Sequence, residues 1–172
     1  VFRAPGWREV RLDINPAVQP DIVASMTDLS PIESESVDAI WSSHNVEHLE
    51  AHEVPLALGE FRRVLRPTGF AFITLPDLQS VARLVVEDKL TEPAYVSPAG
   101  PITPLDIIYG HIASIAAGNR FMAHRTGFTA KTLAAVLKRA GFAEVNVRAG
   151  RDFDLWAVAC VTPGSPAPRF KI

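Results

Sequence analysis

Apart from two methionines, the sulfur of this 172-residue chain is a single cysteine, Cys160. One cysteine cannot close an intramolecular disulfide and offers no cysteine metal cluster. Lying in the apolar run 155–161, it is expected to pack as a small buried hydrophobe. Charge of one sign is equally scarce: 17 Lys and Arg stand against 19 Asp and Glu, for a net charge of -2 and a pI near 6.2. That balance gives no general basic field and argues against nonspecific binding of DNA or RNA. No apolar run approaches the roughly 20 residues that cross a bilayer, and the first residues carry no signal-peptide pattern. A soluble cytoplasmic protein is expected. What the chain does have is 48% hydrophobic residues, enough for one well-buried domain and too little length for two.

The most informative stretch runs from Val37 to Asp77. A β-rich run, Val37-Asp38-Ala39-Ile40-Trp41-Ser42-Ser43, opens into His44-Asn45-Val46-Glu47-His48-Leu49. From Val54, the apolar residues Val54, Leu58, Phe61 and Leu65 recur at near-helical spacing, with Glu60, Arg62, Arg63 and Arg66 on the other face. Pro55 fits a first turn, and Pro67 and Gly69 stop the helix. A second apolar strand, Phe70 to Asp77, completes a βαβ unit. The small and polar residues ending its first strand face the crevice at the carboxyl edge of a parallel sheet, where such folds bind ligands.

The flanking segments extend this plan. Strands are predicted over 8–14 and 21–24, closed by Asn15-Pro16 and Ser30-Pro31, and a helix over 78–88. Prolines and Gly100 break residues 91–105, after which 106–117 regains helical spacing. With Ile107, Ile108, Tyr109 and Ile112, the region 91–126 is too apolar for a linker and reads as a lid over the crevice, a structural insertion or dimer contact being the alternative. Gly127 and Thr129 start a helix with Leu133, Val136, Leu137 and Ala140 inward. The β-rich runs 143–149 and 155–161 are too close for a crossover helix, so they form an antiparallel hairpin. The expected fold is therefore α/β: a Rossmann-like, mostly parallel sheet with an antiparallel C-terminal hairpin, helices on both faces and an inserted lid. One domain spans 1–162, followed by a flexible tail, 163–172.

Several of these pieces, in this order, resemble the small class I S-adenosylmethionine-dependent methyltransferases of the type 11 group. They are Asp38-Ala39-Ile40, Ser43 to Leu49, Glu60-Phe61-Arg62-Arg63-Val64-Leu65-Arg66-Pro67-Thr68-Gly69 and Thr74-Leu75-Pro76-Asp77. Upstream, Pro5-Gly6-Trp7 through Leu12-Asp13-Ile14-Asn15-Pro16 and Met26-Thr27-Asp28-Leu29 resemble the family's second and third strands. Downstream, Gly127-Phe128-Thr129 to Ala140-Gly141-Phe142 resembles its last helix. The family's first strand ends in a glycine-rich loop that nothing before Pro5 supplies, so the natural chain is expected to begin further upstream.

The resemblance implies S-adenosylmethionine as cofactor, with S-adenosylhomocysteine as product. It makes Asp13 the ribose-binding acid, since a carboxylate at a strand end can accept from both hydroxyls; a turn bonded to its own backbone is the structural alternative. Asp28, with Met26 and Leu29 beside it, would meet the adenine or cap a turn toward Ser30. Ile14 is a further adenine or ribose contact, or core. Ser43 and His44 follow the fourth strand, where the family lines the methionine part of the cofactor. Glu47 and His48 resemble the family's Glu-His pair, but a helix start for Glu47 and packing for His48 is the favoured reading.

Methyl transfer from a sulfonium needs alignment, desolvation and, for an oxygen or nitrogen acceptor, removal of a proton. The candidate acid-base groups are His44, Asp77, Tyr109, His111 and His124, with His44, His111 and His124 taken as catalytic. The spacing His44-x-x-x-His48, with His52 following, could suit a metal, yet it lacks the Glu placement of a zinc protease, and no metal is expected. A small or sugar-like acceptor and, at most, a homodimer complete the expected partners. Two other readings stay open: a catalytically silent binding or assembly module, and a nicotinamide-dependent oxidoreductase, which would need an upstream G-x-G-x-x-G loop and a parallel ending.

Overall fold

The computed structural model describes Phe2 and residues 6–165. Strands β1 (Leu12–Asp13) and β2 (Ile22–Val23) form a short parallel pair of their own. Strand β3 (Val37–Ser43) leads through a 3-10 turn, Val46–His48, to helix α1 (Val54–Val64), which runs directly into β4 (Leu65–Pro76). Then come α2 (Leu78–Val86), the hairpin β5 (Tyr95–Ser97) and β6 (Gly100–Ile102), α3 (Pro104–Tyr109) and α4 (Ile112–Ala116). Helix α5 (Ala130–Arg139) and strands β7 (Glu144–Ala149) and β8 (Asp154–Cys160) follow.

The main sheet has the order β3-β4-β8-β7. The βαβ unit read from the sequence is present, with β3 and β4 parallel from Ala39↔Phe70 to Ser43↔Thr74. Strand β8 lies antiparallel to both β4 and β7, so the antiparallel ending is observed. Two boundaries differ from expectation. Strand β4 starts at Leu65 rather than Phe70, because Leu65 pairs with Val37 and the Arg66–Gly69 residues form the irregularity that shifts the register. The predicted strands over 8–14 and 21–24 shrink to two residues each: Arg8 to Arg11 are exposed, and among the described residues β1 ladders only with β2.

Period-two alternation divides the sheet into two faces. Ala71, Ile73 and Leu75, with Leu155, Ala157 and Ala159, meet Leu58 and Phe61 of α1 and Leu133 and Leu137 of α5 in the principal core. The reverse face carries Phe70, Phe72, Val158 and Cys160, covered by aromatic rings, with Trp41 stacked on Phe72 at 4.8 Å and Trp156 edge-on to it at 5.5 Å. Cys160 is buried there as expected, and burial raises its thiol pKa.

A third cluster, Val81 of α2 with Ile102 and Ile107, anchors the region 91–126. The expected helix over 106–117 is two short helices. The break falls at Gly110, whose backbone (φ 94°, ψ 160°) is open only to glycine. A Cβ there would lie 1.9 Å from the Met122 carbonyl oxygen. Thr103 and Asp106 form a capping box at α3, and Thr129 and Thr132 form another at α5. At the far end, Thr162 Oγ1 donates to Pro67 O and the Gly164 amide donates to Glu144. The remainder of the expected tail lies outside the described residues. Among the described residues no helix is long and apolar enough to cross a membrane.

Candidate functional site

The carboxyl ends of β3 and β4 open on a cavity of about 130 Å³. Its floor includes His44 and Pro76, which directly follow or end those strands; its walls include Tyr95, Ile102, Asp106 and Ile107 from the 91–126 region and Phe153 before β8. His111 and His124 also line it. The three histidines singled out as catalytic, His44 lying more than 60 residues before the other two in sequence, thus line one cavity.

Each histidine is held differently. His44 sits in the left-handed region, φ 53°, an uncommon conformation for a non-glycine residue. Its amide donates to Thr74 O at 2.9 Å, and its Nδ1 lies 3.2 Å from Glu47 Oε1. That hydrogen bond to Glu47 raises the His44 pKa above the ordinary histidine value, favouring the imidazolium. His124 donates from Nδ1 to Ile107 O at 2.9 Å, because a carbonyl can only accept. Burial pushes its pKa below the ordinary value, favouring the neutral ring. His111 Nδ1 meets Ser114 Oγ at 2.7 Å. Tyr95, absent from the sequence reading, has a pKa raised by burial.

Two other expected acid-base groups do not belong here. Asp77 is the N-cap of α2: one carboxylate oxygen accepts from the Gln79 amide and the other from the Ser80 hydroxyl. Both oxygens are spent on the helix start. Tyr109 is exposed and is not among the cavity residues.

The cofactor candidates scatter more widely. Asp13 and the loop after β2 stand at the same end of their parallel pair, and Ala24 N donates to Asp13 O at 3.2 Å. Asp13 Oδ1 accepts from the Asn15 amide at 2.7 Å, which is the anticipated turn; the carboxylate still has a second oxygen to offer a hydroxyl. Ile14 is exposed and available to a ligand. Asp28 is exposed on a separate open groove of about 680 Å³ with Thr27, Ser30, Leu56 and Gly59. Hydrogen bonds with Ser30 lower its pKa, so it is held as the carboxylate. Ser43 Oγ accepts from Thr74 Oγ1 at 3.0 Å, which leaves its own proton to donate.

Leu29 is a correction. Its side chain is buried in the principal core, its amide donates to Glu60 Oε2 and its carbonyl accepts from Arg63. At 4% exposure it offers little surface to a cofactor. Met26 packs partly against the same core. The groups left with a free polar atom or exposed surface are the carboxylates Asp13 and Asp28, the Ser43 hydroxyl and the apolar Ile14.

Glu47 is the residue that the sequence reading undervalued. It is 1% exposed, its carbonyl accepts from the amides of Arg125 and Thr126, and it touches His44. A buried glutamate is unusual unless paired. The signal in the sequence was its adjacency to His48, which did not distinguish burial from a helix start.

Residues 5–73 match the model of the methyltransferase domain family of type 11. No curated protein matches the chain. Among solved structures, the PH0226 protein of Pyrococcus horikoshii superposes with a TM-score of 0.60 at 16% identity, over 90% of this chain and 72% of that one. A S-adenosylmethionine-dependent methyltransferase of Thermotoga maritima gives a TM-score of 0.53 at 14% identity, over 81% of this chain and 62% of that one. One from Archaeoglobus fulgidus gives 0.53 at 12% identity, over 86% and 73%. The chain therefore spans less than two thirds of the Thermotoga protein. These likenesses show the fold, a Rossmann-like α/β domain, and the family match over 5–73 bears out the resemblance read from the motifs in that stretch.

Proposed function

We propose that this methyltransferase-fold domain transfers a methyl group from S-adenosylmethionine to a small, sugar-like or otherwise compact acceptor. The observation that carries the reading is the meeting of His44, His111 and His124 in one cavity at the carboxyl edge of a sheet whose first half matches the methyltransferase model. When bound, S-adenosylmethionine supplies an electrophilic methyl on a sulfonium. Asp13, through its second carboxylate oxygen, is the residue to grip the ribose hydroxyls, with Asp28 offering an acceptor to the adenine amino group. Ser43 and His44 would face the methionine end.

The chain's own contribution to chemistry is alignment and proton removal. His44, whose imidazolium form is favoured by the hydrogen bond to Glu47, suits charge stabilisation or recognition of an anionic acceptor group. Proton removal from an acceptor oxygen or nitrogen falls to His111 or His124. Tyr95, Ile102 and Phe153 are among the residues that line this cavity of about 130 Å³, a size that favours a small acceptor. The antiparallel β8 agrees with this reading and tells against a nicotinamide-type sheet that ends parallel.

Calorimetry on the full natural chain with S-adenosylmethionine and S-adenosylhomocysteine tests the proposal. Binding of both is expected. A folded protein that binds neither refutes it, and binding without transfer to any acceptor supports the silent-module alternative.

A further inference from the structure

Beneath the 91–126 region, beside the histidine cavity, three side chains converge that the methyl-transfer reading does not use together. A carboxylate oxygen of Glu47 and one ring nitrogen each from His48 and His124 all lie within 4.8 Å of one another. The two imidazoles pack edge to face, with ring centroids 4.9 Å apart.

Their hydrogen bonds fix the chemistry they can offer. His48 Nδ1 lies 3.0 Å from Ala123 O and His124 Nδ1 lies 2.9 Å from Ile107 O. Carbonyl oxygens only accept, so both Nδ1 atoms carry the proton, and in the neutral ring the lone pair is on Nε2. That is the tautomer a metal-binding histidine adopts when a backbone carbonyl orients it. Glu47 Oε1 is likewise held, by His44. Its other oxygen, Oε2, is buried without any hydrogen-bond partner. A carboxylate oxygen stranded in this way costs desolvation energy unless a cation or proton satisfies it.

We infer that Glu47, His48 and His124 form a site for one divalent transition-metal ion of the zinc type. Two imidazole nitrogens and one carboxylate oxygen are an established zinc donor set, and three protein ligands leave a fourth position for water or an exogenous oxygen. Ligand atoms about 2.0–2.2 Å from a tetrahedral ion stand roughly 3.4 Å apart, so side-chain rotations that bring these atoms closer by at most about 1.4 Å suffice. Every ligand already has an orienting partner. The ligands also come from two parts of the chain: Glu47 and His48 from the turn after β3, His124 from the far end of the 91–126 region. The ion would latch that region onto the sheet edge, reinforcing the bonds from the Arg125 and Thr126 amides to Glu47 O.

Because His124 also lines the cavity, the open coordination position would be within reach of an acceptor oxygen, lowering its pKa and leaving His111 as the proton acceptor. That catalytic use rests on the methyl-transfer proposal; binding of the ion does not.

The test is titration of the chelator-stripped protein with Zn²⁺ and with Co²⁺, followed by X-ray absorption of the zinc-loaded form. One ion per chain is expected, with visible absorption from bound Co²⁺ and a nitrogen and oxygen shell containing two imidazoles and no sulfur. Glu47→Gln and His124→Asn should each weaken binding at least about tenfold, while His52→Asn, at an exposed position, leaves it unchanged. Absence of stoichiometric binding, survival of binding in both variants, or a shell without two imidazoles overturns the inference. If a variant fails to fold, the absorption spectrum of the unaltered protein decides alone. Metal binding in a protein that fails the S-adenosylmethionine calorimetry would sink the methyl-transfer proposal and leave this site standing.

Discussion

Substituting Gly110 by alanine should unlatch the 91–126 region without unfolding the domain. Two penalties act. The backbone at φ 94° and ψ 160° lies in territory nearly confined to glycine, which costs about 1–3 kcal/mol for any other residue. The new methyl also meets backbone, 1.9 Å from Met122 O, 2.9 Å from its carbonyl carbon and 3.0 Å from Ala123 Cα, so no side chain can rotate out of the way. The segment around 122–123 must retreat by more than an ångström. The contacts nearest that movement are His124 N to Tyr109 O at 3.1 Å, His48 Nδ1 to Ala123 O at 3.0 Å, and the Arg125 and Thr126 amides to Glu47 O at 2.9 and 3.2 Å. With 1.4 kcal/mol per factor of ten, strain alone should speed hydrogen exchange at the 124–126 amides by about five- to hundredfold, and the collision adds to it. Gly118→Ala is the control. Its φ of 98° is equally foreign to alanine, yet a Cβ there meets nothing within 4 Å, so the strain relaxes locally. Hydrogen exchange followed by mass spectrometry on peptides covering 119–127 reads both variants. Unchanged protection in a folded Gly110→Ala protein would refute the reasoning, as would equal effects from the two glycines.

Asp13→Ala should fold normally and bind S-adenosylmethionine at least about tenfold more weakly, or about 1.4 kcal/mol; calorimetry checks this, and unchanged affinity removes Asp13 from the ribose site. Leu133→Ala, at a fully buried position facing α1, should lower stability by about 3 kcal/mol, read as a lower urea midpoint; a loss under 1 kcal/mol would mean that the core closes over the gap. The Asp106 pKa is lowered although burial opposes the charge, because hydrogen bonds from Thr103 and the Ile112 amide outweigh it. Its contribution is therefore present above the ordinary aspartate range and is lost as pH falls through the lowered value. Asp106→Asn should accordingly narrow the difference between urea stabilities at pH 7 and pH 3; an undiminished difference contradicts the capping account.

The βαβ unit and the terminal hairpin were legible because each rests on local periodicity with chemical stops: Pro55 early in α1, Gly69 in the β4 irregularity just before Phe70, and too few residues between β7 and β8 for a helix. Register was not legible. Leu65 pairs with Val37 across an irregularity that no spacing rule announces. That His44, His111 and His124 line one cavity agrees with the expectation of a cover over the strand ends, which rested on topology rather than on local spacing. Leu29 and Glu47 went the other way. Leu29 looked like a ring contact and is core because Glu60 and Arg63 of α1 seize its backbone. Glu47 looked like a helix-start charge and is buried because residues 125–126, nearly 80 positions later, close over it. Long-range closure of that kind leaves no trace in a window of neighbouring residues.

The place of β8 between β4 and β7 governs the order in which the molecule can be completed. The strand that fills the second edge of β4 is separated from it by the whole of α2, the cover and α5. A nascent chain emerging from the ribosome therefore carries a naked hydrophobic ladder on β4 until residues 154–160 arrive, and loop closure over that distance is slow. Assembly ends with an inner strand of the sheet rather than with an edge.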